Sequence, residues 1–167
     1  MKKLNSQSIG LITAGAMIAV SLLAFYAMHL PVENKFQYLV YMIFTGGIVW
    51  SLYNHAANNV TKNDFKHFFT AGFKTFITVA LIMAVYTFVF FSFNTGFRDS
   101  RIAENAKMLL AEGNHLPNEI AENSKQLKSL FMPIMISSAV FRHLILGALI
   151  SLIGAGFFSQ KAKQATV

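Results

Sequence analysis

The sequence predicts an all-α integral membrane bundle of four transmembrane helices, with an extracytoplasmic amphipathic helical hairpin between spans three and four. Three observations predict it. Hydrophobic residues make up 54% of the chain and charged residues only 13%, roughly half the charged share of a soluble domain. The apolar excess collects in four blocks instead of spreading along the 167 residues. The Lys and Arg residues flank those blocks and form no basic stripe, so the net charge of +7 reads as membrane topology and not as a nucleic-acid surface.

The first block covers residues 8–30 and follows Lys2 and Lys3, as the core of a signal peptide would. No small-x-small cleavage site follows it; a cut after Ala27 would put Phe25 three residues upstream. It reads as an uncleaved first span. The second covers 36–54, between Lys35 and Asn54. The third covers 69–93; Lys74 to Asn94 is 20 rises, about 30 Å of helix. The fourth lies within 130–158. Counting back from Lys161 to Arg142 gives 19 rises, about 28 Å, so this span is set at 141–160. Each block can cross ~30 Å of hydrocarbon. Helix is the conformation expected, because backbone groups in lipid are satisfied within the segment.

Residues 94–140 form the insert. Ile102, Ala106, Leu109 and Leu110 recur at helical spacing, and Gly113 fits a C-terminal cap. Pro117 fits a first helical position, after which Ile120, Ser124, Leu127, Phe131 and Ile134 form a stripe. The tip, 113–116, is short enough for an antiparallel pair. Asn94-Thr95-Gly96 and Pro133 are the expected bends. These stripes are expected to pack on each other within the hairpin or, through Leu109, Leu127 and Phe131, to meet a membrane-protein partner.

Orientation follows from short basic flanks. Lys2, Lys3, Lys62, Lys66, Lys74, Lys161 and Lys163 fall on one side against a single acid, Asp64, while the long insert is nearly neutral. Both termini are therefore expected in the cytoplasm, across a bacterial inner membrane. Small residues indicate how the helices approach: Gly147, Ser151 and Ala155 stand at successive i+4 positions, a pattern that brings membrane helices close, within one chain or in a homodimer.

The chemistry available is sparse. The chain has no cysteine, which excludes disulfides and thiolate sites. No Asp or Glu lies within a core span, so a proton-coupled carrier lacks its usual carboxylate. No phosphate loop, dinucleotide fingerprint or hydrolase elbow occurs; no catalytic residue, cofactor or metal is expected. His55, His67 and Asp64 are a weak grouping with ligand chemistry. Arg142 and His143, side by side in SAVFRHLILGALI, are read as an anchor at the outer boundary or as an anion or lipid contact, with His29 nearby and Glu33 or Asp99 as carboxylate partners.

The 53–59 loop, the stretch DFKHFFTAGFKTFITVALIMAVYTFVFF (64–91), the amphipathic 98–128 insert and the ending ILGALISLIGAGFFSQK together resemble bacterial domain-of-unknown-function family 4199. The resemblance covers nearly the whole chain. It implies a four-span inner-membrane protein and carries over no activity and no catalytic residues. The expectation is a non-enzymatic multi-pass protein, an accessory or assembly component of a cell-envelope complex. The alternative is a small carrier or flippase for a lipid-like or anionic substrate. Topology reporters fused at residue 1 and at residue 167 should both report the cytoplasmic face; signals from opposite faces would overturn the even number of crossings.

Overall fold

A computed structural model describes residues 4–28, 36–58 and 64–164. Among these residues every element is helical. In order they are α1 (Ser6–Leu22), continued by a π-helical turn (Leu23–Ala27), α2 (Phe36–Asn58), α3 (Phe65–Phe93), α4 (Thr95–Glu112) and α5 (Pro117–Gln164). The π turn closes with the Met28 N–H donating to the Leu23 carbonyl at 3.1 Å, the i→i−5 pattern; nothing in the sequence signals it.

Three helical stretches are long and apolar enough to cross a membrane: Ser6–Ala27, Phe65–Phe93 and Pro117–Ala162. Helix α2 is not among them. Its length suffices, but Tyr38, Tyr41, Trp50 and Tyr53, with polar Gln37, Asn54 and His55, dilute its apolar character. The expected bend at Asn94 is present, since α3 ends at Phe93 and α4 starts at Thr95. The expected bend at Pro133 does not end a helix: α5 runs through it, so the second arm of the insert and the fourth apolar block share one 48-residue helix. Proline removes one i→i−4 bond, and the ladder resumes on either side of it. Gly113 does cap α4, at φ 70° in the left-handed region, which glycine adopts without a Cβ penalty.

The chain divides into two compact units, Met1–Met83 with Val140–Val167, and Ala84–Ala139. In the first, side-chain contacts fix the direction of each helix. The Asn54 amide donates to the Leu4 carbonyl at 2.8 Å, and Gly47 lies against Thr13, so α1 and α2 are antiparallel. Thr75 reaches the Ser6 carbonyl at 3.1 Å and Gly10 lies against Thr75 and Thr78, so α1 and α3 run the same way. Gly72 meets Ser151 and Gly147 meets Phe76, so α5 opposes α3. Leu52 meets Gly154 and Phe44 meets His143, so α5 follows α2. The result is an up-down-up-down bundle.

These contacts depend on absent side chains. A Cβ at Gly147 would stand 2.5 Å from Phe76 Cγ, and one at Gly72 would stand 2.6 Å from Ser151 Oγ. Ile9, Ala14, Met17, Phe44, Ile48, Leu52, Phe68, Val79 and Ala155 are fully enclosed around them. Buried hydroxyls link the helices as well: Thr75 Oγ1 is 2.7 Å from Ser51 Oγ, and Ser51 donates to the Ala71 carbonyl at 3.3 Å.

In the second unit, Asn105 Nδ2 donates to Asn123 Oδ1 at 3.0 Å and Phe91 meets Phe131 edge-on at 5.4 Å. Pairs of this order, earlier residue with later, are those of antiparallel neighbours. Leu116 N–H donates to Glu119 Oε2 at 3.0 Å, a side chain reaching back to the start of α5, which is half of a capping box.

The glycines divide into two groups that mutation should separate. Gly47→Ala and Gly147→Ala should lower stability in detergent micelles by about 1–3 kcal/mol through overpacking. Gly15→Ala and Gly46→Ala, with nothing within 4 Å of the added carbon, should leave it unchanged or raise it by up to about 1 kcal/mol. Thermal unfolding of the four variants measures the difference.

Candidate functional site

Arg142 is exposed on α5, one residue before His143, which is buried. Their order on the helix separates them: successive residues point about 100° apart. His143 turns into the bundle and stands edge-on to Phe44 at 5.2 Å. Arg142 turns outward and donates through Nη1 to the Tyr41 hydroxyl at 2.9 Å. Among the described residues no carboxylate comes within ion-pair distance of this guanidinium. Asp99 pairs with Arg98 at 3.0 Å instead, and Glu33 and His29 lie outside the described residues.

Next to Arg142, on the outer face of α2, is a concavity of about 410 Å³ bordered by Tyr38, Tyr41, Met42 and Thr45. These four follow the helical repeat and form one face. The Thr45 hydroxyl is engaged with the Tyr41 carbonyl at 2.9 Å. The lining is therefore mostly apolar, and Arg142 adjoins it through its hydrogen bond to the Tyr41 hydroxyl. Sequence reasoning finds Arg142 and His143 but misses Tyr41. The available signal was the Tyr38–Tyr41–Thr45 spacing, which looks like an interfacial aromatic pattern until α5 is placed beside it.

The register gives Arg142 a level along the bundle. The α1–α2 pairs Leu4–Asn54 and Thr13–Gly47 put Tyr41 opposite residues 18–19 of α1. From Ser8 to that point is about 16 Å of helix, and from there to Met28 about 14 Å. Tyr41 is also five rises from Phe36, where α2 begins, about 8 Å of helix, so the Arg142–Tyr41 pair lies toward the Phe36 end of α2.

The residues expected to meet a partner divide. Leu109 and Leu127 are half-buried. Phe131 is only 3% exposed and packs on Phe91, so its ring serves the chain's own interior and is not offered to a partner; a stripe at helical spacing does not say which surface covers it. Exposed apolar side chains of this unit include Met108, Leu110, Leu116 and Leu130, with Val85, Phe88, Val89, Phe93 and Ile134. Gly147, Ser151 and Ala155 are all buried in the bundle.

At one end of the first unit, the His55 and His67 rings stack at 6.5 Å and His55 meets Phe68 at 5.2 Å. Asp64 caps α3 by accepting from the His67 N–H at 3.1 Å, and its carboxylate also contacts the His67 ring. The hydrogen bond from the His67 ring, then that from its backbone, holds the Asp64 carboxyl below the usual carboxylate range. No group of three His, Cys, Asp or Glu among the described residues is arranged to hold a metal ion.

A family model described as "Protein of unknown function (DUF4199)" matches residues 8–160. Searches of the curated proteins and of the solved structures found no match.

The lowered Asp64 titration has a definite sign. Its stabilising contact is present above the ordinary carboxylate pKa of about 3.9 and is lost as pH falls through the lowered value. Asp64→Asn removes that titration, so its melting temperature should fall less than wild type's on acidification below about pH 4. Parallel melts across that range measure it.

Proposed function

This chain belongs to the DUF4199 family, and we propose that it is a four-span protein of the bacterial inner membrane acting as a non-enzymatic accessory or assembly component of a cell-envelope complex. Its apolar helices are compatible with a membrane protein. In this reading α2 is the fourth span. Support comes from its place between α1 and α3 and from the apolar and aromatic face it leaves exposed, with Leu39, Met42, Val49 and Trp50. Both termini lie in the cytoplasm, as the basic flanks imply, and the insert stands on the other side.

The observation that carries the accessory reading is the closed interior. At Gly47, Gly72, Gly147 and Gly154 a neighbouring helix already occupies the space a Cβ would take. A solute passing along the bundle would need room and polar lining at those levels. The protein instead offers surfaces: exposed Met108, Leu110 and Leu116 on α4 and the tip, and the outward Arg142 on α5. A carrier for a lipid-like or anionic substrate is the second reading. It draws on Arg142 with Tyr41, which would receive a headgroup at the bundle's outer face.

Purification of the tagged full-length protein in mild detergent, with mass spectrometry of what copurifies, separates the two. The accessory reading expects one stoichiometric membrane-protein partner, lost in Leu110→Glu and Leu116→Glu and kept in Arg142→Gln. Phe131→Glu is the folding control, since it damages the internal contact with Phe91. Lipid transport by the protein alone in liposomes, abolished by Arg142→Gln, would replace this reading with the carrier.

A further inference from the structure

We infer that Arg142 and Tyr41 form the phosphate seat of an anionic phospholipid whose acyl chain lies in the concavity along α2. The inference goes beyond the accessory role and rests on the membrane-spanning reading of α2 proposed above.

The first argument is depth. Tyr41 is five rises from Phe36, where α2 begins, about 8 Å of helix, a depth from which a long side chain reaches a headgroup phosphate. With α2 as a span, a guanidinium there lies just inside the apolar thickness, where a cation without a counter-charge is disfavoured. None of the described carboxylates supplies one, and Arg142 is exposed. The counter-charge therefore comes from outside the described chain, at a surface facing hydrocarbon.

The second argument is donor geometry. The guanidinium has five N–H donors, and the Tyr41 hydroxyl takes one of them at 2.9 Å. Because that oxygen is the acceptor, its own O–H remains to donate. A phosphodiester has two charged oxygens; the planar fork of Arg142 matches them two at a time, and the Tyr41 O–H adds a donor beside it. His143, packed edge-on against Phe44, fixes α5 against α2 so that the pair is assembled before a ligand arrives.

The concavity decides between a lipid and other anions. A carboxylate on a neighbouring protein helix would satisfy Arg142 and leave the space beside Tyr38, Met42 and Thr45 empty. It is a shallow depression on one helix, bordered by Tyr38, Tyr41, Met42 and Thr45 and open to the outside, where a hydrocarbon chain can lie along α2.

The test is native mass spectrometry of the full-length protein from nanodiscs holding equal amounts of phosphatidylglycerol and phosphatidylethanolamine. Wild type should retain one phosphatidylglycerol in preference. Arg142→Gln should lose that preference by about tenfold or more, as for a charge-assisted hydrogen bond. Arg142→Lys should be intermediate, because it keeps the charge without the fork. Tyr41→Phe should lose several-fold, roughly one neutral hydrogen bond's worth, and Lys161→Gln should change nothing. Added inorganic phosphate should not displace the lipid. Circular dichroism checks that each variant keeps its helix. Equal retention by wild type and Arg142→Gln would overturn the inference. So would a photo-crosslinking residue at Met42 that captures polypeptide and no phospholipid. The partner test at Leu110 and Leu116 is unaffected by either result, so the two readings fail separately.

Discussion

Close approach of helix backbones is the constraint on which the rest of this structure depends. In a bilayer the hydrophobic effect does not drive one apolar helix onto another; packing and hydrogen bonds do. Here the packing is made at Gly10, Gly47, Gly72, Gly147 and Gly154, each with a neighbour where a Cβ would stand. Because the partners at these points are Thr75 and Thr78, Thr13, Ser151, Phe76 and Leu52 in that order, each contact also fixes a register. The buried Thr75–Ser51 pair at 2.7 Å adds a polar tie whose alternative, an unsatisfied hydroxyl among apolar groups, is unfavourable.

That register has a consequence for charge. With Leu52 on Gly154 and Phe44 on His143, Arg142 has little freedom in height or direction. It faces outward, meets Tyr41 and stands far from the basic flanks. The same packing that closes the interior leaves a polar pair on the exterior, beside an apolar concavity. The polar features of the bundle thus divide by place. The Thr13, Ser51 and Thr75 hydroxyls inside are bound to backbone or to one another, His55 and His67 gather with Asp64 at one end, and the Arg142–Tyr41 pair marks the outer face.

Much of the local structure was legible in sequence. Gly113 as a left-handed cap, Pro117 as the first residue of α5 and the break at Asn94 follow from backbone chemistry that acts within a few residues. The spacing of Gly147, Ser151 and Ala155 announces a close-packed face, and all three are buried. Pro133 was less legible, because a proline shows where one hydrogen bond is lost and not whether the helix resumes. The stripe containing Leu127 and Phe131 announces a covered face too, but a period of 3.6 is the same whether the cover is the chain's own Phe91 or another protein. Helix α2 shows the same limit, since its tyrosines read as dilution of an apolar run although one of them bonds Arg142.

The sequence by itself determined that the chain is helical, apolar in blocks and poor in charge, because composition and periodicity act through local backbone preference and solvent transfer. The tertiary structure alone decided which helix touches which, at what height, and hence that Tyr41 and Arg142, 101 residues apart, meet. The reason is geometric: the level of a residue on one helix against its neighbour is set by side chains on both, and no single segment carries that information.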